Sequence, residues 1–207
     1  MSNSHDLERF LRLQGYKLIA GVDEAGRGAI AGPVFASAVI LPPDFTSSEI
    51  KDSKLLTSLK REELFEYIKS VALAFCIARA EVEEINKEGI LNATFKAMHR
   101  AIKGLKVKPQ LVLIDGPHPI PFFKGLQKAI VKGDRLCLSI SAASILAKVA
   151  RDNYMKELAK SFPEYQFEKH KGYATKLHLK LIEKYGPSKV HRTYYRCFSD
   201  VVKKKGL

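Results

Sequence analysis

The chain of 207 residues has only three cysteines, Cys76, Cys137 and Cys197. They are far apart, odd in number and never in a Cys-x-x-Cys pair, which excludes a disulfide framework and a thiolate zinc site as organising features. Cys76 and Cys137 stand in apolar runs and read as small core residues, a usage that fits a reducing compartment. No apolar stretch approaches the roughly 20 residues a membrane-spanning helix needs. Residues 1–12 are polar with mixed charge and do not read as a signal peptide. A basic amphipathic helix with exposed aromatics is also missing, so no membrane partner is expected. Repeats, low-complexity tracts, interdomain linkers and coiled-coil patterns are absent too. The expectation is a cytoplasmic monomer.

Negative charge is scarce. Asp and Glu total 22 against 35 Lys and Arg, a formal net charge of +13. A basic protein of this size usually meets a polyanion, most often nucleic acid. The hydrophobic share of 46% makes the chain globular. Its length suits one domain with a real core, or one domain and a small appendage.

Apolar spacing predicts a helix over residues 5–14 and strands over 17–23, 34–41 and 71–82. Thr57 or Ser58 can cap a helix near 60–70. A further helix is predicted over 83–103, with Ile85, Leu91, Phe95, Met98 and Ile102 on one face and a weak point at Gly89. The wholly apolar run 111–114 reads as a strand buried on both faces. Another short strand follows at 129–131, then a strong helix over 141–160 and a loop over 162–173. Thr175 caps a last helix reaching Tyr185, which Gly186-Pro187 ends. Strands alternating with helices give an α/β domain with a mixed sheet, and the last helices form a small C-terminal unit.

The few acids fall at telling places. Asp23, Asp115 and Asp134 each come directly after an apolar, strand-like run, and Glu24 follows Asp23. Strand ends are where open α/β sheets gather functional groups. Adjacent side chains in a strand point to opposite faces, so Asp23 and Glu24 diverge unless the strand stops there, as the glycines after them indicate. Four such carboxylates repel one another without cations, and hard oxygen donors favour Mg²⁺ or Mn²⁺ over zinc. Two ions roughly 4 Å apart activate water and stabilise a leaving oxygen in phosphodiester cleavage. Taken alone, Asp115 before Gly-Pro and Asp134 in Lys-Gly-Asp would read as turn caps. Nothing structural requires Gly-Val-Asp-Glu-Ala-Gly-Arg-Gly at 21–28. Asp152, in the middle of a helix, reads as a surface or structural residue.

An ordered series of motifs runs through nearly the whole chain: Gly-Val-Asp-Glu-Ala-Gly-Arg-Gly at 21–28, Ala-Gly-Pro-Val at 31–34, Asp-Ser-Lys at 52–54, Ala93-Thr94, Ile-Asp-Gly at 114–116 and Lys-Gly-Asp at 132–134. Ser-Ala-Ala-Ser-Ile-Leu-Ala-Lys-Val-Ala-Arg-Asp follows at 141–152, then His-Lys-Gly-Tyr-Ala-Thr at 170–175, Gly-Pro-Ser at 186–188 and His191-Arg192. In this series the chain resembles the prokaryotic type 2 ribonucleases H, ribonuclease HII. The resemblance implies a ribonuclease H-like fold, a five-stranded mixed sheet flanked by helices, with a catalytic domain over 1–160 and a C-terminal helical extension over 161–207.

The resemblance also implies hydrolysis of the RNA strand of RNA–DNA hybrids, and incision 5′ of single ribonucleotides embedded in duplex DNA. Cleavage would use two Mg²⁺ or Mn²⁺ ions and leave 3′-hydroxyl and 5′-phosphate ends. The family's metal-binding, catalytic acids fall on Asp23, Glu24, Asp115 and Asp134. Its substrate-binding Gly-Arg-Gly falls on Gly26, Arg27 and Gly28, whose backbone can approach a ribose 2′-hydroxyl closely. Its junction-sensing tyrosine falls on Tyr173, which by itself would read as a half-buried packing residue. His170, Thr175 and His178 orient that segment. Lys54 is a phosphate contact, with Lys148 and Arg192 as weaker candidates of the same kind. One departure stands out. Ahead of Ile90 the family often carries an Asn that helps contact a substrate phosphate, and this chain has Gly89, with its backbone amide or Asn92 as substitutes. The alternatives are another nuclease of the same fold, such as a junction resolvase, and a non-catalytic nucleic-acid-binding module. Neither needs both the strand-end acids and a 2′-hydroxyl reader.

Overall fold

A computed structural model describes residues 6–51 and 57–195. Lys54, Cys197 and the lysine-rich tail at 203–205 lie outside the described residues. Five strands form one sheet: β1 Ile19–Ala25, β2 Val34–Ile40, β3 Ala74–Ala80, β4 Leu111–Asp115 and β5 Gln127–Ile130. Their spatial order is β3-β2-β1-β4-β5. The β1/β2 and β2/β3 pairs are antiparallel, while β1/β4 and β4/β5 are parallel, so the sheet is mixed as expected.

Nine helices accompany the sheet among the described residues: α1 Asp6–Leu13, α2 Ser48–Lys51, α3 Ser58–Val71, α4 Val82–Glu88, α5 Ile90–Lys103, α6 Gly133–Leu136, α7 Leu138–Ser161, α8 Phe167–His170 and α9 Lys176–Tyr185. Every residue of β2 is buried, because both faces of the sheet are covered. One face packs Ala20, Val22, Ala36 and Ile114 against Phe95, Met98 and Ile102 of α5. The other packs Val39 against Leu64 and Ile68 of α3 and Leu146 and Val149 of α7. A side chain at Gly21 would stand 2.1 Å from the Ser139 carbonyl carbon, so only glycine lets α7 lie this close to β1.

The structure departs from the local sequence pattern at several places. The run 71–82 contains a shorter strand, since Val71 ends α3 and Val82 begins α4. The helix expected over 83–103 is two helices. Gly89 sits between them at φ 80°, a backbone state that glycine adopts without a Cβ penalty and that ends α4. Leu91 turns outward and is 40% exposed, whereas Ile85, Phe95, Met98 and Ile102 are buried. The loop over 162–173 holds a 3₁₀ turn, Pro163–Tyr165, and α8. The two capping threonines behave as read: Thr57 accepts from the Lys60 N–H and Thr175 from the His178 N–H, both at 3.2 Å.

The C-terminal helices dock on the second half of α7 and on the loop after β1. Met155, Ala159, Tyr165, Phe167 and Ile182 enclose Ile30 and Ala31. Two isolated β-bridges, Ala29 with Tyr173 and Ala31 with His191, stitch the loop to this unit.

Candidate active site

The sheet register brings the acids together. Val22 of β1 pairs with Ile114 of β4, so Asp115 follows beside Asp23 at the carboxyl end of two parallel strands. The β1 strand does not stop at Asp23, contrary to expectation. It continues to Ala25, with Asp23 opposite Ser37 and Glu24 opposite Ala36. Alternation then separates the two side chains. Asp23 turns toward Ser144 of α7, and its Oδ1 accepts the Glu24 N–H at 2.7 Å. Glu24 meets Arg27, with Oε1 3.5 Å from Nη1.

After β5, Lys132 adopts a left-handed backbone at φ 58° and turns the chain into α6. Non-glycine residues in this region carry a strain cost. The turn delivers the buried Asp134 to the same corner, and its N–H donates to Asp115 Oδ1 at 3.3 Å.

Burial and mutual repulsion govern the charges here. Burial, then the neighbouring Glu24 and Asp115 carboxylates, hold the Asp23 carboxyl well above the usual range. Glu24 is raised by burial and by Asp115, with Arg27 opposing. Among the described residues, no three His, Cys, Asp or Glu side chains already surround a common point as metal ligands do. The donor set nevertheless suits hard divalent cations: carboxylate oxygens gathered at one corner of the sheet, with Asp23 and Asp134 buried and the partly exposed Arg27 guanidinium beside Glu24.

Beside the acids is a cavity of about 390 Å³, lined among others by Glu24, the 26–28 loop, Ser144, Lys148 and Tyr173. Gly26 to Ala29 form a tight turn, closed by the Ala29 N–H on the Gly26 carbonyl at 3.2 Å. Arg27 and Gly28 are exposed at its tip, and their N–H groups make no backbone hydrogen bond among the described residues. Tyr173 is half-buried. Its ring stands 5.7 Å from Lys148 Nζ and 5.3 Å from the Arg151 guanidinium carbon. The Ile30 N–H donates to the Gly172 carbonyl at 2.8 Å, which ties the loop to the tyrosine segment. Gly26, Arg27, Gly28 and Tyr173 thus share one cavity with Glu24, while Asp23, Asp115 and Asp134 stand next to it.

Two buried arginines hold this cavity's shape. Arg192 is fully buried and donates to the carbonyls of Ala29 at 2.7 Å, Gly32 at 2.8 Å and Arg27 at 3.2 Å. No phosphate can reach it, so the expectation of a phosphate contact is corrected. Its guanidinium clamps the loop after β1 instead. Arg151, also fully buried, donates to Ala31 and Pro33 carbonyls at 3.2 Å. It fills the space above Gly26, where a Cβ would stand 1.8 Å from its Nε. Sequence reasoning passed over Arg151, although a signal was present. Ala147, Arg151, Met155 and Ala159 recur every four residues, and all are buried, so the arginine occupies an apolar stripe. Asp152 forms a 2.7 Å ion pair with Lys148, whose ammonium reaches the cavity.

The histidines form a directed chain. The Ser188 N–H donates to His191 Nδ1 at 2.9 Å, the two Nε2 atoms of His191 and His178 are 3.1 Å apart, and His178 Nδ1 meets the Tyr173 carbonyl at 2.9 Å. A carbonyl can only accept, so the network assigns Nδ1–H to His178 and Nε2–H to His191. The Gly89 amide cannot replace the Asn its position lacks, because it donates to the Ile85 carbonyl at 2.9 Å. Asn92, which is exposed, donates to the Glu88 carbonyl at 3.0 Å and keeps a second amide N–H.

The chain is similar to known proteins over most of its length. The family model for ribonuclease HII matches residues 20–198. A ribonuclease HII of Caldicellulosiruptor bescii is 49% identical over 190 residues, 92% of each chain. The crystal structure of ribonuclease H2 from Pyrococcus horikoshii superposes with a TM-score of 0.76 at 24% identity, covering 90% of this chain and 97% of that one. Bst-RNase HIII, solved in complex with Mn²⁺, superposes with a TM-score of 0.70 at 14% identity, covering 96% of this chain and 72% of that one. The last two show a shared fold. With the motif series, the mixed sheet and a family match over most of its length, the chain belongs to the ribonuclease HII family of metal-dependent endoribonucleases.

Proposed function

We propose that this chain incises duplex DNA 5′ of an embedded single ribonucleotide and cleaves the RNA strand of RNA–DNA hybrids, leaving 3′-hydroxyl and 5′-phosphate ends. The reading rests on one observation: an exposed turn whose Arg27 and Gly28 amides make no backbone hydrogen bond among the described residues, an aromatic ring and a carboxylate all line the same cavity. The amides and the lack of side chains at Gly26 and Gly28 suit a sugar hydroxyl at close approach. Arg27, 49% exposed at its side chain, can fork onto the adjacent phosphate. The Tyr173 ring offers a flat face to the next sugar, where a missing 2′-hydroxyl marks the RNA-to-DNA junction. Lys148 adds a cation at the cavity wall. Lys54 remains the proposed further phosphate contact.

Asp23, Glu24, Asp115 and Asp134 would hold two divalent cations, Mg²⁺ or Mn²⁺. The Mn²⁺ of the related Bst-RNase HIII structure supports that choice. When bound, such ions supply an activated water and charge neutralisation at the scissile phosphate. The acids' own part is to present crowded oxygens at a fixed corner of the sheet, and the buried arginines keep the reader loop at constant distance from them. We further propose that residues 1–160 form the catalytic unit and 161–207 the extension that carries Tyr173.

The test is incision of duplex DNA carrying one ribonucleotide, with Mg²⁺, with Mn²⁺ and with chelator. Metal-dependent cutting just 5′ of the ribonucleotide is expected, with all-DNA duplex intact and with Tyr173→Ala slowed on this substrate more than on long hybrids. Cutting of all-DNA duplex at a comparable rate would refute the 2′-hydroxyl reading.

A further inference from the structure

A second concave surface lies at the opposite end of the sheet. A cavity of about 610 Å³ is walled by His99 and Ile102 of α5, by Leu105, and by Phe122, Phe123 and Leu126 of the loop before β5. Pro109, also in its wall, precedes β4, and Leu126 directly precedes β5. The five residues of β4 span ~16 Å, so the cavity and Asp115 sit at opposite ends of the parallel pair.

The wall is built rather than loose. Gln127 accepts the Ile120 N–H at 2.9 Å and donates to the carbonyls of Ile120 at 3.0 Å and Phe123 at 3.3 Å. His99 holds Phe122 and Phe123 edge-on, with ring centroids 5.2 and 6.2 Å away. Apolar surface nevertheless stays open to solvent: Phe122 is 40% exposed and Leu126 55%. The rim carries one sign of charge. Lys103, Lys108 and Lys124 line it, and none pairs with a carboxylate among the described residues. Between residues 99 and 132 the only acid is Asp115, which points into the other end of the sheet.

An open apolar hole ringed by unpaired cations selects for one ligand chemistry: an apolar side chain flanked by carboxylates. A nucleic-acid strand would need exposed ring faces to stack on. Here His99 and Phe122 pack on each other with centroids 5.2 Å apart, and Ile102, Leu105 and Leu126 make the rest of the apolar wall aliphatic, which favours an inserted side chain over stacked bases. We propose that this groove docks an acidic segment of another protein, inserting an aromatic or long aliphatic residue between Ile102 and Leu126 while its carboxylates meet Lys103, Lys108 and Lys124. The proposal is independent of the catalytic reading.

Fluorescence anisotropy with the full chain tests it. The probe is a short labelled peptide with Asp and Glu on both sides of a central Phe-Leu pair. Saturable binding is expected, weakened roughly tenfold or more when Ser-Ser replaces Phe-Leu. A similar loss is expected in the triple variant K103E/K108E/K124E and in Leu126→Asp. Incision at saturating substrate should stay unchanged in both variants, which verifies their folding. No saturation at millimolar protein, or equal binding by both peptides and both variants, would overturn the proposal. So would a labelled oligothymidine strand that binds and is lost in the triple variant while the peptide fails to bind, since the surface would then be one for nucleic acid.

Discussion

Acidification should loosen the Tyr173 segment through two buried histidines. Burial, opposed by the Tyr173 carbonyl, holds His178 down at about 4, and burial with the neighbouring His178 holds His191 down at about 3. The geometry explains the direction. Each nitrogen in the Ser188–His191–His178–Tyr173 chain already has a partner of the right kind, so a further proton would set two N–H groups against each other across 3.1 Å. Both folded pKa values lie below the unfolded value of about 6.5. The resulting stability is therefore complete above pH 6.5 and is lost as pH falls through the folded values. At pH 4.5 an unfolded His178 is almost wholly protonated and a folded one only about a quarter so. The loss between pH 7.5 and 4.5 is then about 2–3 kcal/mol, with a similar amount from His191. Against a total stability of about 5–15 kcal/mol this is readily measured. Asp23 and Glu24, raised in the fold, titrate in the opposite sense and must be cancelled. Urea unfolding at a series of pH values, comparing wild type with the double variant His178→Phe/His191→Phe, does so. The variant should start less stable at pH 7.5 and lose less on acidification. Parallel stability curves for the two proteins would refute the reasoning.

Two other outcomes follow from the same site. Asp23→Asn should abolish incision yet stabilise the metal-free protein by about 1–2 kcal/mol, because it removes a carboxylate penalised by burial and repelled by the nearby Glu24 and Asp115 charges; thermal unfolding in chelator checks this, and a lowered midpoint would contradict the repulsion. Arg192→Lys keeps a cation but cannot span the carbonyls of Ala29 and Gly32. One buried acceptor is left without a donor, at a cost of about 1–3 kcal/mol. Single-ribonucleotide incision should fall with KM rising more than kcat drops, and unaltered kinetics would remove the arginine from loop positioning.

Short-range pattern made much of this molecule legible in the chain. Apolar runs marked the strands, and Thr57 and Thr175 marked helix starts, because caps and periodicity are local and leave local traces. A shared strand-end position, together with the Gly-Val-Asp-Glu-Ala-Gly-Arg-Gly motif and the ordered motif series, nominated Asp23, Asp115 and Asp134. Sequence could not say that they meet. The pairing of Val22 with Ile114, across some ninety positions of chain, does that. Gly89 appeared only as a weak point, since whether a glycine bends or breaks a helix depends on what its neighbours pack against. The charged residues were the most ambiguous. Arg192 read as a surface phosphate contact and Arg151 went unnoticed, because an arginine's letter carries its charge but not its burial. Burial is decided by the docking of α8 and α9 onto α7 and onto the loop after β1, a long-range event with no local trace. The sequence by itself thus determined the elements, the strand-end acids and the family. The tertiary structure decided which cations face solvent, which hold the loop after β1, and how that loop comes to lie beside Tyr173.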